Sequence, residues 1–212
     1  PACVTVAFLA VALGIPVGTS LFVSLVERVG AGLSWENLTL AHYALVLAEG
    51  SRFRTALANS LAIAGVAAAC SAVLAFAAAY LLTFSGFRLN RLIDLTCTLT
   101  LAVPGVVLGI GYLRLFYSVD MPFTGAPLAT WWGIIVIALA TRRLPYALRS
   151  CSAALQQVSP SLEEASENLG APKLRTVRRI VLPLMAAGLV AGFVTSFATA
   201  AVELSATIML VA

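Results

Sequence analysis

Long apolar runs dominate the chain, and polar residues gather in the short stretches between them. A hydrocarbon core about 30 Å thick takes about 20 residues of helix to cross. Five segments have that length: 3–26, interrupted by Pro16; 55–84, inside a stretch with no charge between Arg54 and Arg88; 95–117; 128–148, which contains Arg142 and Arg143; and 184–211. Helices are the expected form, because lipid offers no partner to unpaired backbone groups and the runs are too long and too continuously apolar for barrel strands. Gly105-x-x-x-Gly109 and Gly188-x-x-x-Gly192 put small residues on one helix face, and Ala64, Ala68, Ala72, Ala75 and Ala79 share another. Such stripes let helix backbones approach closely in lipid, so their expected role is helix packing. Pro104, just before Gly105, can kink or break the third span.

Between residues 149 and 183 the pattern changes. Ser161 with Glu164 three residues on makes a capping box. The alternative is Ser159 as the cap with Pro160 in the first turn, where a missing N–H does no harm. Gly170 fits just past the end of that helix, where a left-handed residue closes it. Pro172 blocks continuation and opens a second helix that runs to about Pro183. Arg175, Arg178 and Arg179 lie on one face of it. A short helix, a glycine bend and a basic helix therefore project between two spans, as a docking surface would. Anionic lipid headgroups are the expected partner of the basic face, ahead of a protein.

Composition narrows the class. The chain has 212 residues, 61% hydrophobic and 10% charged, with a mean hydropathy of +1.00. A soluble domain carries about 25% charged residues, so an ordinary soluble enzyme and a disordered protein are both excluded. The chain reads as an all-α membrane protein embedded in a lipid bilayer. The net charge of +4 does not point to nucleic acid, because the basic residues sit mostly between apolar stretches and set orientation instead. Arg88, Arg91, Arg142, Arg143, Arg149, Lys173, Arg175, Arg178 and Arg179 outweigh Arg28, Arg52 and Arg54. That places segments 85–93 and 142–183 and the N-terminus in the cytoplasm, with loops 27–54 and 118–127 outside. The outer stretch 38–47 is apolar enough for a short interfacial helix. The chain begins at Pro1 and stops at Ala212, both next to apolar runs, and is expected to be a piece of a longer polypeptide with a sixth span beyond it.

Candidate chemistry is sparse. Cys3, Cys70, Cys97 and Cys151 have no C-x-x-C spacing and read as apolar packing residues. His42 is the one histidine, so no histidine metal site is expected. No Gly-rich loop followed by Lys-Ser/Thr is present and no G-x-S-x-G. No catalytic residue, cofactor or metal ligand is therefore assigned, and nucleotide hydrolysis is expected from a partner. Among ionisable residues at membrane depth, Arg114 can snorkel and Asp94 can cap or pair with Arg91. Glu203, near Thr199, Ser205 and Thr207, has two readings. One is a candidate pathway carboxylate, suited to a cationic cargo because hard ions take oxygen ligands. The other is a helix-to-helix hydrogen bond, or a position near the outer interface.

The pattern Glu164-Ala165-Ser166-x-x-x-Gly170, nine residues, then Ile180-x-Leu182-Pro183 resembles the EAA loop. That loop marks the permease subunits of bacterial ATP-binding-cassette importers of the type I fold. Ser166 departs from the alanine usual there. Ala58-Asn59-Ser60-Leu61 resembles the start of the family's core domain. The resemblance implies one type I importer (MetI-like) transmembrane domain over 1–212, with five helical spans present and a cytoplasmic EAA coupling helix in the 149–183 loop. Docking of a cytoplasmic ATPase dimer would fall to Glu164, Ala165, Ser166, Gly170, Ile180, Leu182 and Pro183. ATP and magnesium would be bound by that ATPase. A second permease half and a periplasmic substrate-binding protein would be the other partners.

Leu38-Thr39-Leu40-x-x-Tyr43, Val103-Pro104-Gly105-Val106-Val107-Leu108-Gly109 and Glu203-Leu204-Ser205-Ala206-Thr207 resemble the iron(III)-type permeases. Those for phosphonate, polyamine, sulfate or thiamine are similar enough to compete. An ion-coupled secondary transporter would need midplane charge and no docking loop, so it is the more remote alternative.

Overall fold

The structure, a computed structural model, describes residues 2–32, 34–48, 50–84, 90–122 and 124–211. Arg88 and most of the predicted inner loop 85–93 lie outside the described residues. The chain forms two compact units, Pro1–Asn59 and Ser60–Ala212.

In the first unit, helix α1 (Ala2–Ser24) buries none of its described side chains against the chain. Its surface is almost wholly apolar and suits lipid. A loop follows, folded around Asn37, which is buried. The Asn37 side-chain amide donates to the carbonyls of Arg28 and Gly32 at 3.0 and 2.9 Å, and its carbonyl accepts from the Arg28 amide at 3.0 Å. Helix α2 (Ala41–Leu47) lies in the stretch predicted to hold a short interfacial helix. Tyr43 shares a 2.6 Å hydrogen bond with Ser24 at the end of α1.

Helix α3 (Arg52–Phe84) runs through the boundary into the second unit. There it buries Ala64, Ala67, Ala68, Ser71, Ala72, Ala75 and Ala79. The alanine stripe brings backbones close enough for the Ser71 hydroxyl to donate to the Ala140 carbonyl at 2.7 Å.

Helix α4 (Asn90–Ala102) and helix α5 (Gly105–Tyr117) occupy the third predicted span. They are not one rod: Arg91–Ala102 and Gly105–Tyr117 meet at 111°. Pro104 has no amide to offer and pushes Val103 out of the helical region, so the break falls where the ring demands it.

Helix α6 (Gly133–Leu155) is the centre of the unit. Ile134, Ala138, Leu139, Ala147, Leu148, Cys151 and Leu155 are all buried. Its sequence is the least apolar of the predicted spans because protein, not lipid, surrounds it. Helices α7 (Pro160–Asn168) and α8 (Lys173–Thr176), a π-helical turn at Val177–Val181 and helix α9 (Leu182–Leu184) follow. Pro183 has no amide for the Arg179 carbonyl and crowds it, which accounts for the widened turn ahead of it.

Helix α10 (Ala186–Ala201) and helix α11 (Ser205–Val211) end the chain. The predicted continuous span 184–211 is therefore interrupted at 202–204. Lys173–Leu184 and Ala186–Ala201 also meet at 70°. Among the described residues, Ala2–Ser24 and Arg52–Phe84 are long and apolar enough to cross a membrane. Up to four such elements exist if each bent pair is one span.

The four singled-out glycines sit at close approaches. A Cβ on Gly188 would lie 2.3 Å from the Ala154 Cβ, and one on Gly192 would lie 3.1 Å from the Ala147 Cα, so α10 presses on α6. Gly109 meets Ala206 and Met209 of α11, and Gly105 meets Ser205.

Candidate functional site

Two places in the second unit gather polar chemistry. One is the helical hairpin from 159 to 184.

Its first arm, α7, has Ser159 as N-cap and Pro160 in the first turn. The capping box on Ser161 and Glu164 does not form. Ser159 and Ser161 hydroxyls bond each other at 2.7 Å, and Glu164 is left on the exposed face. The proline presets the first helical φ, so the helix starts two residues earlier than a Ser161 cap would have it.

The C-terminus closes by a Schellman motif. The Ala171 amide donates to the Ser166 carbonyl at 3.1 Å and the Gly170 amide to the Glu167 carbonyl at 2.8 Å. Gly170 has φ +75, a conformation in which a Cβ would crowd its own carbonyl. Pro172 then caps the second arm.

The two arms are tied by a buried hydrogen bond of 2.7 Å between the Ser166 and Thr176 hydroxyls. Ser166 is the position where the sequence departs from the EAA pattern, and the departure supplies this tie. Ser166→Ala should strand the Thr176 hydroxyl, which is 1% exposed, and cost about 1–3 kcal/mol. Adding Thr176→Val should return most of that loss. Thermal unfolding of the detergent-solubilised protein checks both, and additive losses in the double variant would remove the tie.

The Tyr80 hydroxyl donates to Glu163, fastening α7 to the C-terminal end of α3. The exposed Lys173–Glu167 pair at 3.6 Å adds little, since water screens it.

The hairpin presents Glu164, Ala165 and Gly170 outward, keeps Ser166 inside, half-buries Ile180 and Leu182, and exposes Pro183. Leu169 and Leu174, which sequence reasoning did not single out, flank the bend and are 88% and 79% exposed. Apolar residues on both sides of a helix-closing glycine were the signal for them. One flank of the hairpin carries Glu163, Glu164 and Glu167 around a cavity of about 260 Å³. The other carries Arg175, Arg178 and Arg179 around one of about 500 Å³.

The second place is an ion cluster where the broken helices meet α6. Glu203 lies in the break between α10 and α11. Its carboxylate accepts from Arg142 Nε at 3.3 Å and forms a close ion pair with Arg143. It also accepts from the Ala206 amide at 3.3 Å, which caps α11. Arg142 reaches in the other direction as well, donating to the Val103 carbonyl at 3.2 Å. That carbonyl is freed by the break at Pro104, so one arginine bridges both interruptions. Arg143 lies against the Tyr146 ring, 5.9 Å from its centroid.

Arg142 and Arg143 were counted above with the cytoplasmic charges. In the structure they are drawn into the protein and belong to this cluster. The charge asymmetry keeps its direction without them. Nothing in the local sequence pairs Arg143 with a residue 60 positions away.

Residues 71–212 match the family described as "Binding-protein-dependent transport system inner membrane component". The chain is 34% identical over 176 residues to the ferric transport system permease protein FbpB of Actinobacillus pleuropneumoniae, covering 82% of this chain and 25% of that protein. It is 34% identical over 159 residues to the sulfate transport system permease protein CysT of Salmonella typhimurium, covering 71% and 56%. It is 36% identical over 141 residues to the molybdenum transport system permease protein ModB of Escherichia coli, covering 63% and 61%. The chain thus spans about a quarter of the length of FbpB.

Proposed function

Because this chain belongs to the family of binding-protein-dependent transport system inner membrane components, we propose that it forms part of the translocation pathway of an ATP-binding-cassette importer. Membership makes it a multi-pass inner-membrane transport protein.

The observation that carries the proposal is the braced hairpin. It is closed by Gly170, tied by Ser166 and Thr176, and fastened to α3 by Tyr80. Its outward residues Glu164, Ala165, Leu169 and Leu174 offer a cytoplasmic ATPase a rigid knob of mixed charge and apolar surface. A rigid knob passes movement of the ATPase to the spans, and a loose one would absorb it. ATP and magnesium belong to that ATPase in this proposal, and the chain itself binds no cofactor. A binding protein hands over the cargo, and a second permease half completes the path.

The cargo put forward is iron(III), on the name of the FbpB relatives. Sulfate and molybdenum, on the names of CysT and ModB, are the outcomes that displace it, with molybdate as the molybdenum probe. Uptake of labelled iron(III) is measured in cells lacking their own iron importers and expressing the full-length permease with its ATPase and binding protein. ATP-dependent uptake that is lost on changing Glu164 and Gly170 supports both machine and cargo. Uptake of sulfate or molybdate in its place keeps the machine and discards iron. No coupling of ATPase activity to any cargo in a folded complex overturns the importer.

Tyr80→Phe is expected to leave the fold intact and to weaken ATPase binding between about twofold and tenfold, the value of one hydrogen bond. Unchanged binding, measured by titration of the solubilised permease, would take Tyr80 out of the bracing.

A further inference from the structure

The ion cluster is unbalanced. Two guanidiniums meet one carboxylate, and all three side chains are largely withdrawn from solvent, with exposures of 17% for Arg142, 9% for Arg143 and 8% for Glu203. One positive charge is left over. Arg143 Nε is buried and has no hydrogen-bond partner among the described residues.

The N-terminus of α5 adds to the same sign. A Cβ on Gly105 would stand 3.1 Å from both Arg142 Nη2 and Glu203 Oε1, so the first turn of a 13-residue helix abuts the cluster. Its macrodipole contributes roughly half a positive charge there. A spare charge and an unfilled donor at membrane depth are costly unless something anionic offsets them. Glu203 is also unsuited to receive a bare cation. Both of its oxygens are engaged by donors, and the net field around it repels positive charge. Glu203 and Thr207 line a cavity of about 60 Å³ with Ser60, Ile63, Ile135 and Leu139, so the carboxylate of the cluster borders open space, while the guanidiniums lie behind it.

We propose that Arg142, Arg143 and Glu203 form an anion site of the permease, where a small oxyanion meets the spare guanidinium charge and Glu203 serves as the internal counter-ion. The inference rests on the permease proposed above and specifies the charge of what passes. The oxyanion is either the cargo itself or a ligand that accompanies the cargo metal. Displacing Glu203 from Arg143 frees a second donor edge, so anion binding and loosening of the α10–α11 break are coupled events.

The test uses the full-length permease assembled with its ATPase and binding protein. Equilibrium binding of sulfate, molybdate and inorganic phosphate is measured on wild type, Glu203→Gln and Arg142→Gln. Wild type should bind at least one of them saturably. Glu203→Gln, which keeps shape and removes the counter-charge, should bind about tenfold more tightly. Arg142→Gln should bind at least tenfold more weakly. If Arg142→Gln does not fold, the opposite shift in Glu203→Gln still decides. Absence of saturable binding in folded wild type and Glu203→Gln, or equal affinity in the two, overturns the site.

Uptake separates the sources. Sulfate or molybdate uptake without iron makes the oxyanion the cargo, and iron(III) uptake that carries a fixed share of labelled anion makes it a ligand. Binding-protein-stimulated ATPase activity is recorded in parallel. Its loss in wild type overturns the importer proposal, whereas normal stimulation without anion binding overturns the anion site alone.

Discussion

Gly188→Val is expected to remove most of the folded permease. A Cβ at Gly188 would stand 2.3 Å from the Ala154 Cβ and 2.9 Å from the Ser150 carbonyl oxygen. Neither atom is the end of a flexible side chain, so α10 would have to lift off α6. α6 is the helix around which the second unit is packed, and overpacking a close contact costs about 1–3 kcal/mol even where the backbone can give. Here the larger side chain meets backbone as well, so valine should exceed that range. Gly188→Ala is the graded case and should lower the thermal midpoint measurably. Combining it with Ala154→Gly should recover part of the loss, because only one of the two close atoms is removed. The yield and thermal midpoint of the detergent-solubilised protein read all three. A Gly188→Val protein as stable as wild type would mean that α10 and α6 do not touch here.

Gly170→Val is expected to leave the protein folded and to cut ATPase coupling by more than tenfold. Nothing lies within 4 Å of a Cβ at this position, so the effect does not come from crowding within the chain. It comes from φ +75. A left-handed conformation costs an ordinary L-residue about 1–2 kcal/mol, and a β-branched one more. The bend would open, and the two arms would no longer hold Leu169 and Leu174 at their places on either side of it. Gly170→Asn should stay close to wild type, since asparagine tolerates this conformation. Gly170→Ala should fall between them, about tenfold down. ATPase stimulation by the binding protein in proteoliposomes measures the order. Equal coupling in wild type and Gly170→Val would end the docking role of the bend. An asparagine variant as poor as valine would shift the cause from backbone conformation to side-chain bulk at the contact.

Much of this molecule is decided locally and is legible as a string of residues. The apolar runs specify helices because lipid leaves the backbone no other partner. Ser159-Pro160, Gly170 and Pro172 determine where the two arms of the hairpin begin, turn and begin again, because each acts through its own φ or its own missing amide. Pro104 marks a break in the same way. The choice between Ser159 and Ser161 as cap was open on the sequence, since both satisfy local rules, and the proline settled it.

The ion cluster belongs to the other category. No glycine or proline lies at 202–204, yet the helix stops there. Glu203 leaves the helical path where it meets Arg142 and Arg143, which come from a different helix some 60 residues earlier. Arg142 and Arg143 count as cytoplasmic charges at the end of the fourth predicted span because hydropathy weighs each residue without its partner. Their burial follows from packing α5, α6, α10 and α11 together around Gly105, Gly109, Gly188 and Gly192. Local chemistry determined the helices and the hairpin, and long-range charge pairing in a low dielectric determined what those helices enclose.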